Sequence, residues 1–321
     1  MRLLITGADG FIGRWLAPTA ADRGWEVFAG YFREPTRVVP PGVPQSDQVK
    51  WVPLNVCDRH QIHRAIHETR PHAIVHLAAI SHVPAAEADP VAAYDVNTIG
   101  VARLIDALYR ERDSGALATK VLVVGSAEQY GSYPSTSMPI TEDFPQLPLS
   151  TYAATKTAQE FSALQAWRRW GLRVVLVRAF PASGPGHDAR FLLPSLLQRA
   201  RDLPEKGGEL VIGNRDTVRD YLHVADVVDA YLELLGKGTP GNAYNVCSGI
   251  GISVQQAAEK VLEISGKTAA IVSDPALQRA ADIPVLIGSN RQLMTQTTWR
   301  QTRTFDDLII DLQRSMSFGR D

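Results

Sequence analysis

Short apolar segments alternate with longer amphipathic segments through the first 180 residues. The apolar segments predict strands at 2–6, 26–31, 49–54, 73–77, 120–125 and 173–178. The amphipathic segments predict helices at 11–24, 58–70, about 89–112, and 151–171. Because these strands are apolar on both faces, we expect an α/β fold with a Rossmann-type, doubly wound parallel sheet.

The regular alternation of predicted strands and helices ends after residue 180. A loop rich in proline and glycine covers 181–187, and the later elements follow less regularly. We therefore expect two units: a dinucleotide-binding domain over 1–180 and a smaller α/β substrate-binding lobe over 181–321. The boundary is soft, since late strands could return to the large sheet. Asp58 and Ser253 each stand three residues before a glutamine, the spacing of a helix-capping box.

Composition narrows the classes of protein. The 321 residues carry 33 basic and 34 acidic side chains, 45% are hydrophobic and 21% are charged, which excludes wholesale disorder and argues against a nucleic-acid partner. The two distant cysteines predict neither a disulfide scaffold nor a cysteine-based metal site, and no metal is expected. No apolar run approaches the ~20 residues that span a bilayer. Because a strand is predicted directly after Met1, we expect no leader peptide, and we expect a cytoplasmic protein without a membrane partner.

Gly7, Gly10 and Gly13 lie between the first strand and the first helix with the spacing G-x-x-G-x-x-G. Small residues allow a tight turn and a close approach of the backbone to a pyrophosphate, which the helix N-terminus then favours. The alternative is a purely structural turn. The second strand is followed by Arg33 instead of an acid, which favours NADP(H), with NAD(H) as the alternative.

Tyr152 and Lys156 are four residues apart and share one face of a predicted helix. A nearby cation favours the phenolate, so we expect Lys156 to lower the pKa of Tyr152 and to make it a proton donor or acceptor. Ser126 follows a predicted strand at its carboxyl end, where ligands bind in open α/β sheets.

Together, the glycine turn, His76-Leu77-Ala78-Ala79, Asn97, the Ser126/Tyr152/Lys156 set and Arg219-Asp220-Tyr221 resemble the extended short-chain dehydrogenase/reductases that act on nucleotide sugars. Segments 212–221, 244–249 and 283–289 narrow the resemblance to the branch that contains GDP-6-deoxy-4-keto-mannose reductases and GDP-mannose 4,6-dehydratases. The resemblance covers nearly the whole chain.

The resemblance implies a role for each matching residue. Implied catalytic residues are Ser126, Tyr152, Lys156 and Glu128. Implied cofactor-binding residues are Gly7, Gly10, Phe11, Ile12, Gly13, Arg33, Asn55, Leu77, Ala78, Ala79 and Asn97, with Tyr152 and Lys156. Implied substrate-binding residues are His82, Ser126, Glu128, Ser183, Asn214, Arg219 and Arg279.

The resemblance implies NADPH-dependent reduction of the C4 ketone of a GDP-4-keto-6-deoxyhexose, with Tyr152 as proton donor and a homodimer as the assembly. A GDP-mannose 4,6-dehydratase or a nucleotide-sugar 4-epimerase that retains its cofactor is the alternative, and a non-catalytic sensor is a third. Glu128 would serve a dehydratase. Pro181 stands where the family usually has a substrate-binding asparagine, for which Ser183 or His187 could substitute.

Overall fold

The computed structural model describes residues 1–34, 39–205, 207–277 and 283–316. Within these ranges the strands are β1 (Arg2–Thr6), β2 (Glu26–Tyr31), β3 (Lys50–Pro53), β4 (Ala73–His76), β5 (Lys120–Val124), β6 (Arg173–Ala179), β7 (Ala182–Ser183), β8 (Glu209–Ile212), β9 (Val218–Asp220), β10 (Leu222–His223), β11 (Ala243–Val246), β12 (Gly251–Ser253), β13 (Ala270–Ser273) and β14 (Val285–Leu286).

The helices of the described chain connect many of these strands. They are α1 (Phe11–Asp22), α2 (Arg59–Thr69), α3 (Val83–Ala88), α4 (Pro90–Tyr94), α5 (Gly100–Arg110), α6 (Thr151–Trp170), α7 (Leu192–Arg201), α8 (Val224–Lys237), α9 (Val254–Ser265), α10 (Arg291–Gln296) and α11 (Phe305–Met316). None of the helices described is long and apolar enough to cross a membrane.

A parallel sheet of seven described strands, in the order β11-β6-β5-β4-β1-β2-β3, forms the centre of the molecule. Successive strand residues point to opposite faces, so Leu3 and Ile5 enter one apolar core with α1 and α8. Leu4 enters the other core with α2, α5 and α6. Both faces are therefore covered, and the predicted Rossmann-type fold class is confirmed.

The long helix predicted over about 89–112 is interrupted. A widened helical turn over Asp95–Ile99 separates α4 from α5, and α5 ends at Arg110. The widened turn places the buried Asn97 against Ile80 and Thr155, a contact that the apolar period of the sequence does not encode. The other predicted elements of the first 180 residues agree with the structure to within a few residues.

The late segments form a second core, but one of them returns to the large sheet. β11 pairs in parallel with β6, as the soft boundary allowed. Two of the small sheets, β8 with β13 and β9 with β12 and β14, lie with α7, α9 and α11, whose apolar faces share a core around Leu196, Ile212, Val261 and Leu308. A third small sheet pairs β7 with β10 in parallel.

Two predicted caps fix helix starts. The Asp58 carboxylate accepts the backbone N–H groups of His60 and Gln61, at 2.8 and 3.2 Å. Ser253 and Gln256 make the reciprocal capping box, with each side chain bonded to the backbone of the other.

Candidate active site

The glycine turn after β1 brings the α1 N-terminus close to the backbone that follows β4. Gly7 has a φ of +67°, and a Cβ there would lie 2.7 Å from the Ala78 backbone. A Cβ on Gly13 would lie 2.4 Å from the Cα of Ala8, so α1 can pack this closely only with glycine. Gly10 caps α1 without a side-chain hydrogen bond, and the first turn carries no acidic residue. The positive N-terminal end of α1 therefore fits a dinucleotide pyrophosphate.

Phe11 and Ile12 open α1 and pack partly buried against the core beneath it, which anchors the helix end. Leu77, Ala78 and Ala79 follow β4 directly. The N–H groups of Leu77 and Ala78 donate to Thr6, on the neighbouring strand β1. These five residues therefore surround the same strand ends as the glycine turn.

The end of β2 carries the predicted nucleotide-selecting arginine. Arg33 is exposed, and its backbone N–H donates to the Asp9 carboxylate of the glycine turn at 3.1 Å. Arg33 therefore stands at the edge of the glycine turn. The Asn55 side-chain oxygen accepts the Cys57 N–H at 2.9 Å, so that oxygen already supports the local turn.

Asn97 is fully buried. Its side-chain oxygen accepts the Ile80 N–H, and its amide donates to the Ile80 carbonyl and the Thr155 hydroxyl. The amide group is thus bonded to protein on both sides. We interpret Asn97 as a support for the loop after β4, which differs from the direct cofactor contact that the resemblance implies.

Ser126 and Tyr152 meet at the carboxyl end of β5. Ser126 caps the short helical turn Ala127–Tyr130, where its hydroxyl accepts the Glu128 N–H at 3.2 Å. Tyr152, in the first turn of α6, is 9% exposed and hydrogen-bonded to the Ser126 side chain. The two groups that the resemblance assigns to one carbonyl oxygen therefore lie side by side.

The acidity of Tyr152 differs from the sequence expectation. Burial raises the pKa of the Tyr152 phenol to about 12, with a further rise from Glu128, and the Ser126 hydrogen bond only partly opposes it. Burial also lowers the pKa of Lys156 to about 7. Desolvation penalises both charged forms, so it outweighs the expected effect of the lysine on the phenol. The phenol accordingly holds its proton at neutral pH.

Lys156 is buried one helical turn after Tyr152. Its ammonium donates to the Val124 carbonyl at 2.8 Å and to the Gln159 side-chain oxygen at 3.3 Å. Both acceptors are neutral, so no carboxylate in these contacts compensates the burial of its charge.

Glu128 and His82 stand at the rim of this group. Glu128 is partly exposed, and the Ser150 hydroxyl donates to its carboxylate at 3.5 Å. Ser150 caps α6 two residues before Tyr152, and the charge of Glu128 contributes to the raised pKa of Tyr152. His82 caps α3, and its ring meets Phe191 edge to face at 5.8 Å.

An aromatic stack crosses from the glycine turn to the second core. The His187 ring lies between Phe11 and Phe191, with centroid separations of 4.3 and 4.4 Å. The Ser183 hydroxyl is 2.9 Å from Nδ1 of His187. Pro181, which lacks the usual amide side chain, accepts the backbone N–H of Leu222 on its carbonyl. Ser183 and His187 are thus bonded to each other close in sequence to Pro181, the residue that departs from the family pattern.

Of the two predicted diphosphate-binding arginines, the structure describes Arg219, which lies on β9. The Arg219 guanidinium donates to the carbonyls of Val218 and Ile283, at 2.9 and 2.6 Å, and remains partly exposed. Asn214 bonds the Asp216 N–H within its own turn. Arg279 lies outside the described residues.

Comparison with known proteins decides the family. A sequence model of the family described as GDP-mannose 4,6-dehydratase matches residues 4–312. The chain belongs to this family. The predicted relationship to the extended short-chain dehydrogenase/reductases is confirmed.

The individual relatives of this chain are named for several different reactions. The chain is 31% identical to the GDP-6-deoxy-D-mannose reductase of Pseudomonas aeruginosa over 303 residues, which cover 93% of this chain and 91% of the relative. It is 29% identical to the GDP-6-deoxy-D-talose 4-dehydrogenase of Aggregatibacter actinomycetemcomitans, over 92% of this chain and 90% of that one. The prediction of an oxidoreductase-type enzyme is confirmed.

Solved structures agree with the sequence relatives. The structure of RMD from Pseudomonas aeruginosa complexed with NADPH aligns with a TM-score of 0.81 and 29% identity, covering 98% of this chain and 99% of that one. The UDP-glucose 4-epimerase of Thermus thermophilus, in complex with NAD, aligns with a TM-score of 0.86 and 27% identity over both whole chains. The cofactor prediction, NADP(H) favoured with NAD(H) as alternative, is consistent with these two structures.

Sequence reasoning missed two buried glutamines. The Gln129 side-chain oxygen accepts the Ser126 N–H at 2.7 Å. Gln159 donates to the Val124 carbonyl and accepts from Lys156. Gln129 stands three residues after Ser126, so the capping-box spacing was a usable signal for it. Gln159 shares a helix face with Lys156, three residues away, which is a weaker signal.

Proposed function

We propose that this protein reduces the C4 ketone of a GDP-4-keto-6-deoxyhexose with NADPH. The observation that carries the proposal is the buried Tyr152 phenol, protonated and hydrogen-bonded to Ser126 at the strand ends that also hold the glycine turn. A ketone that gains a hydride at carbon needs one proton at oxygen, and this pair offers that proton.

The bound dinucleotide would supply the hydride. Tyr152 would donate its proton to O4, and Ser126 would hydrogen-bond the same oxygen as it gains negative charge. Lys156, held at the Val124 carbonyl, would stabilise the phenolate that remains and hold the nicotinamide ribose. Because the pKa of Tyr152 is raised to about 12, the residue suits a proton donor better than a resting phenolate base.

The cofactor proposal rests on Arg33 and the glycine turn. An arginine fork binds a phosphate through two hydrogen bonds, whereas an acid at the same place would repel the 2′-phosphate of NADP. Arg33 is exposed at the end of β2 and tied to the turn through Asp9. The NADPH complex of the Pseudomonas relative supports the same choice.

The substrate proposal rests on the second core. Arg219 would bind the diphosphate, and Ser183 with His187 would take the place of the asparagine replaced by Pro181. We keep the division at residue 180 as part of this proposal, with residues 181–321 supplying the sugar-nucleotide contacts. The two GDP-sugar relatives, each aligned over nine-tenths of the chain, support GDP as the nucleotide.

A 4,6-dehydratase is the second candidate, because Glu128 lies near the Tyr152 phenol. A carboxylate in that place could remove a proton beside a transient ketone. A dehydratase would begin by oxidising C4, which needs the phenolate form of Tyr152, and the raised pKa opposes that form.

We further propose a homodimer through α5 and α6. Phe161 of α6 is 55% exposed and lines a shallow groove together with Ile105, Tyr109 and Trp170, and Ile99, directly before α5, is 43% exposed. A second copy of the same face would bury these side chains. Light scattering should give twice the chain mass, and Phe161→Glu should give the monomer mass. A monomeric wild type would contradict this assembly.

The reductase proposal is tested by mixing the protein with NADPH and GDP-4-keto-6-deoxymannose, followed by absorbance at the nicotinamide band. We expect one NADPH oxidised for each sugar nucleotide and a product two hydrogens heavier. Loss of water from GDP-mannose with NADP and no NADPH oxidation would establish the dehydratase instead. Tight binding of cofactor and sugar nucleotide without turnover would favour a sensor.

A further inference from the structure

A buried carboxylate, Glu160, connects the two pieces of chain that carry the catalytic groups. It lies on α6, two turns after Tyr152, and its side chain is 2% exposed. Arg178 of β6 forms a two-pronged ion pair with it, with Nη2–Oε1 and Nε–Oε2 distances of 2.7 and 3.2 Å. Such a pair fixes the plane of the carboxylate.

Gln129 links this carboxylate to Ser126. The Gln129 amide donates to Oε2 of Glu160 at 2.7 Å, and its side-chain oxygen accepts the Ser126 N–H at 2.7 Å. The approach is close: a Cβ on Gly125 would lie 2.2 Å from that side-chain oxygen. Glycine at 125 therefore makes room for the Gln129 side chain.

We propose that Glu160, acting through Gln129, is the positioning residue that holds Ser126 in register with Tyr152. The expected effect on kcat rests on the proposed reductase function, whereas the expected effect on the Ser126 turn does not. Tyr152 and Lys156 lie on α6, whereas Ser126 lies on the turn after β5. Glu160 belongs to α6 and bonds Gln129 on the turn after β5, so it fixes the distance between α6 and that turn.

The physical reason is the direction of the amide. A glutamine side chain can rotate so that either its oxygen or its nitrogen faces Ser126, and only the oxygen can accept the Ser126 N–H. Because Glu160 is acceptor-only when ionised, it holds the nitrogen on its own side and so directs the oxygen toward Ser126. Arg178 also donates to the Tyr130 hydroxyl, at the end of the same turn, at 2.9 Å.

The chain offers a matched control. Gln146 also donates to the Glu160 carboxylate, at 2.6 Å on Oε1, and its side-chain oxygen accepts from the Gln129 amide at 2.9 Å. None of its hydrogen bonds in the described chain reaches Ser126, and without Gln146 the Glu160 carboxylate still holds the Gln129 nitrogen. Gln129→Met and Gln146→Met therefore each remove one amide from Glu160, and only the first frees the Ser126 turn. We expect kcat for NADPH oxidation to fall ~10- to 100-fold in Gln129→Met, since small misplacements near the chemistry cost this much.

In Gln146→Met we expect kcat within about twofold of wild type, and both variants should keep the wild-type Kd for NADPH, measured by fluorescence titration. A drop in kcat of the same size in both variants, or in neither, would overturn the positioning role. The double variant Glu160→Met/Arg178→Met removes both buried charges together, so it avoids an unpaired ion. It should fold and should lose kcat as Gln129→Met does; retained kcat would refute the role of Glu160.

Hydrogen exchange separates this inference from the reductase proposal. Amide exchange of the peptide covering residues 120–131 needs no substrate, and it should rise in Gln129→Met but not in Gln146→Met. If the wild type does not reduce the sugar nucleotide, the exchange result still decides the inference. Unchanged exchange in Gln129→Met would contradict it even if the enzyme is a reductase.

Discussion

Replacing Tyr152 by phenylalanine tests the proton-donor role with little change in packing. The ring of Tyr152 packs against Ala86 and Ala93, and phenylalanine keeps those contacts. The variant loses one hydrogen bond, to Ser126, worth about 1 kcal/mol. For a chain of this size that loss should lower Tm by about 2 °C.

The expected kinetic effect is far larger than the effect on stability. A general acid contributes ~10²- to 10⁴-fold, so kcat should fall by at least about a hundredfold in Tyr152→Phe. NADPH affinity, measured by fluorescence titration without the sugar, should change less than about threefold. Absorbance of the nicotinamide under saturating sugar nucleotide measures kcat.

Tyr244→Phe is the matched control, because Tyr244 is also a buried tyrosine but belongs to a different apolar cluster from Tyr152. Its hydroxyl donates to Gln296 and accepts the Thr239 N–H at 2.9 Å. Losing both bonds should destabilise the fold more than Tyr152→Phe does, with kcat unchanged. Retention of kcat within about threefold in Tyr152→Phe would refute the reasoning.

Three further variants test separate parts of the account. Gly13→Ala should weaken NADPH binding at least about tenfold, because its Cβ would lie 2.4 Å from Ala8, whereas Gly236→Ala has open space and should bind normally in the same titration. Arg33→Ala should weaken NADPH binding about tenfold and leave NADH binding unchanged; equal losses would refute its contact with the 2′-phosphate. Lys156 has a pKa lowered to about 7, against ~10.4 unfolded, so the folded state binds fewer protons between these values. The free-energy cost of burying the Lys156 charge is present in full below pH 7. As pH rises above 7 this cost is relieved, so the free energy of unfolding increases by up to ~1.4 kcal/mol per pH unit. Urea unfolding of Lys156→Met should lack this increase.

Local patterns predicted the parts of the fold that depend on neighbours in sequence. The glycine spacing at 7–13 determines both a turn and the start of α1, and the apolar strands identify a sheet covered on both faces. The four-residue spacing of Tyr152 and Lys156 is a helix property, and the structure places both residues on α6 as expected. Asp58 was identifiable as a cap for the same reason.

Features that depend on packing were not predictable in this way. The raised pKa of Tyr152 reflects burial, which only the assembled fold determines. The expectation from the nearby lysine, a lowered pKa, was therefore wrong in direction. The Glu160 contacts with Gln129 and Arg178 span 31 and 18 residues, and no periodicity links them. The widened turn at Asp95–Ile99 likewise accompanies contacts of the buried Asn97 with Ile80 and Thr155, which are distant in sequence.

The most direct test of the reductase claim follows the hydride itself. The protein would be given GDP-4-keto-6-deoxymannose with NADPH deuterated at nicotinamide C4, on each face in turn, and the product analysed by NMR. We predict that one of the two labelled cofactors transfers its deuterium as deuteride to C4 of the hexose, with oxidation of one NADPH per product. Conversion of the sugar nucleotide without deuterium at C4 and without loss of NADPH would contradict the account.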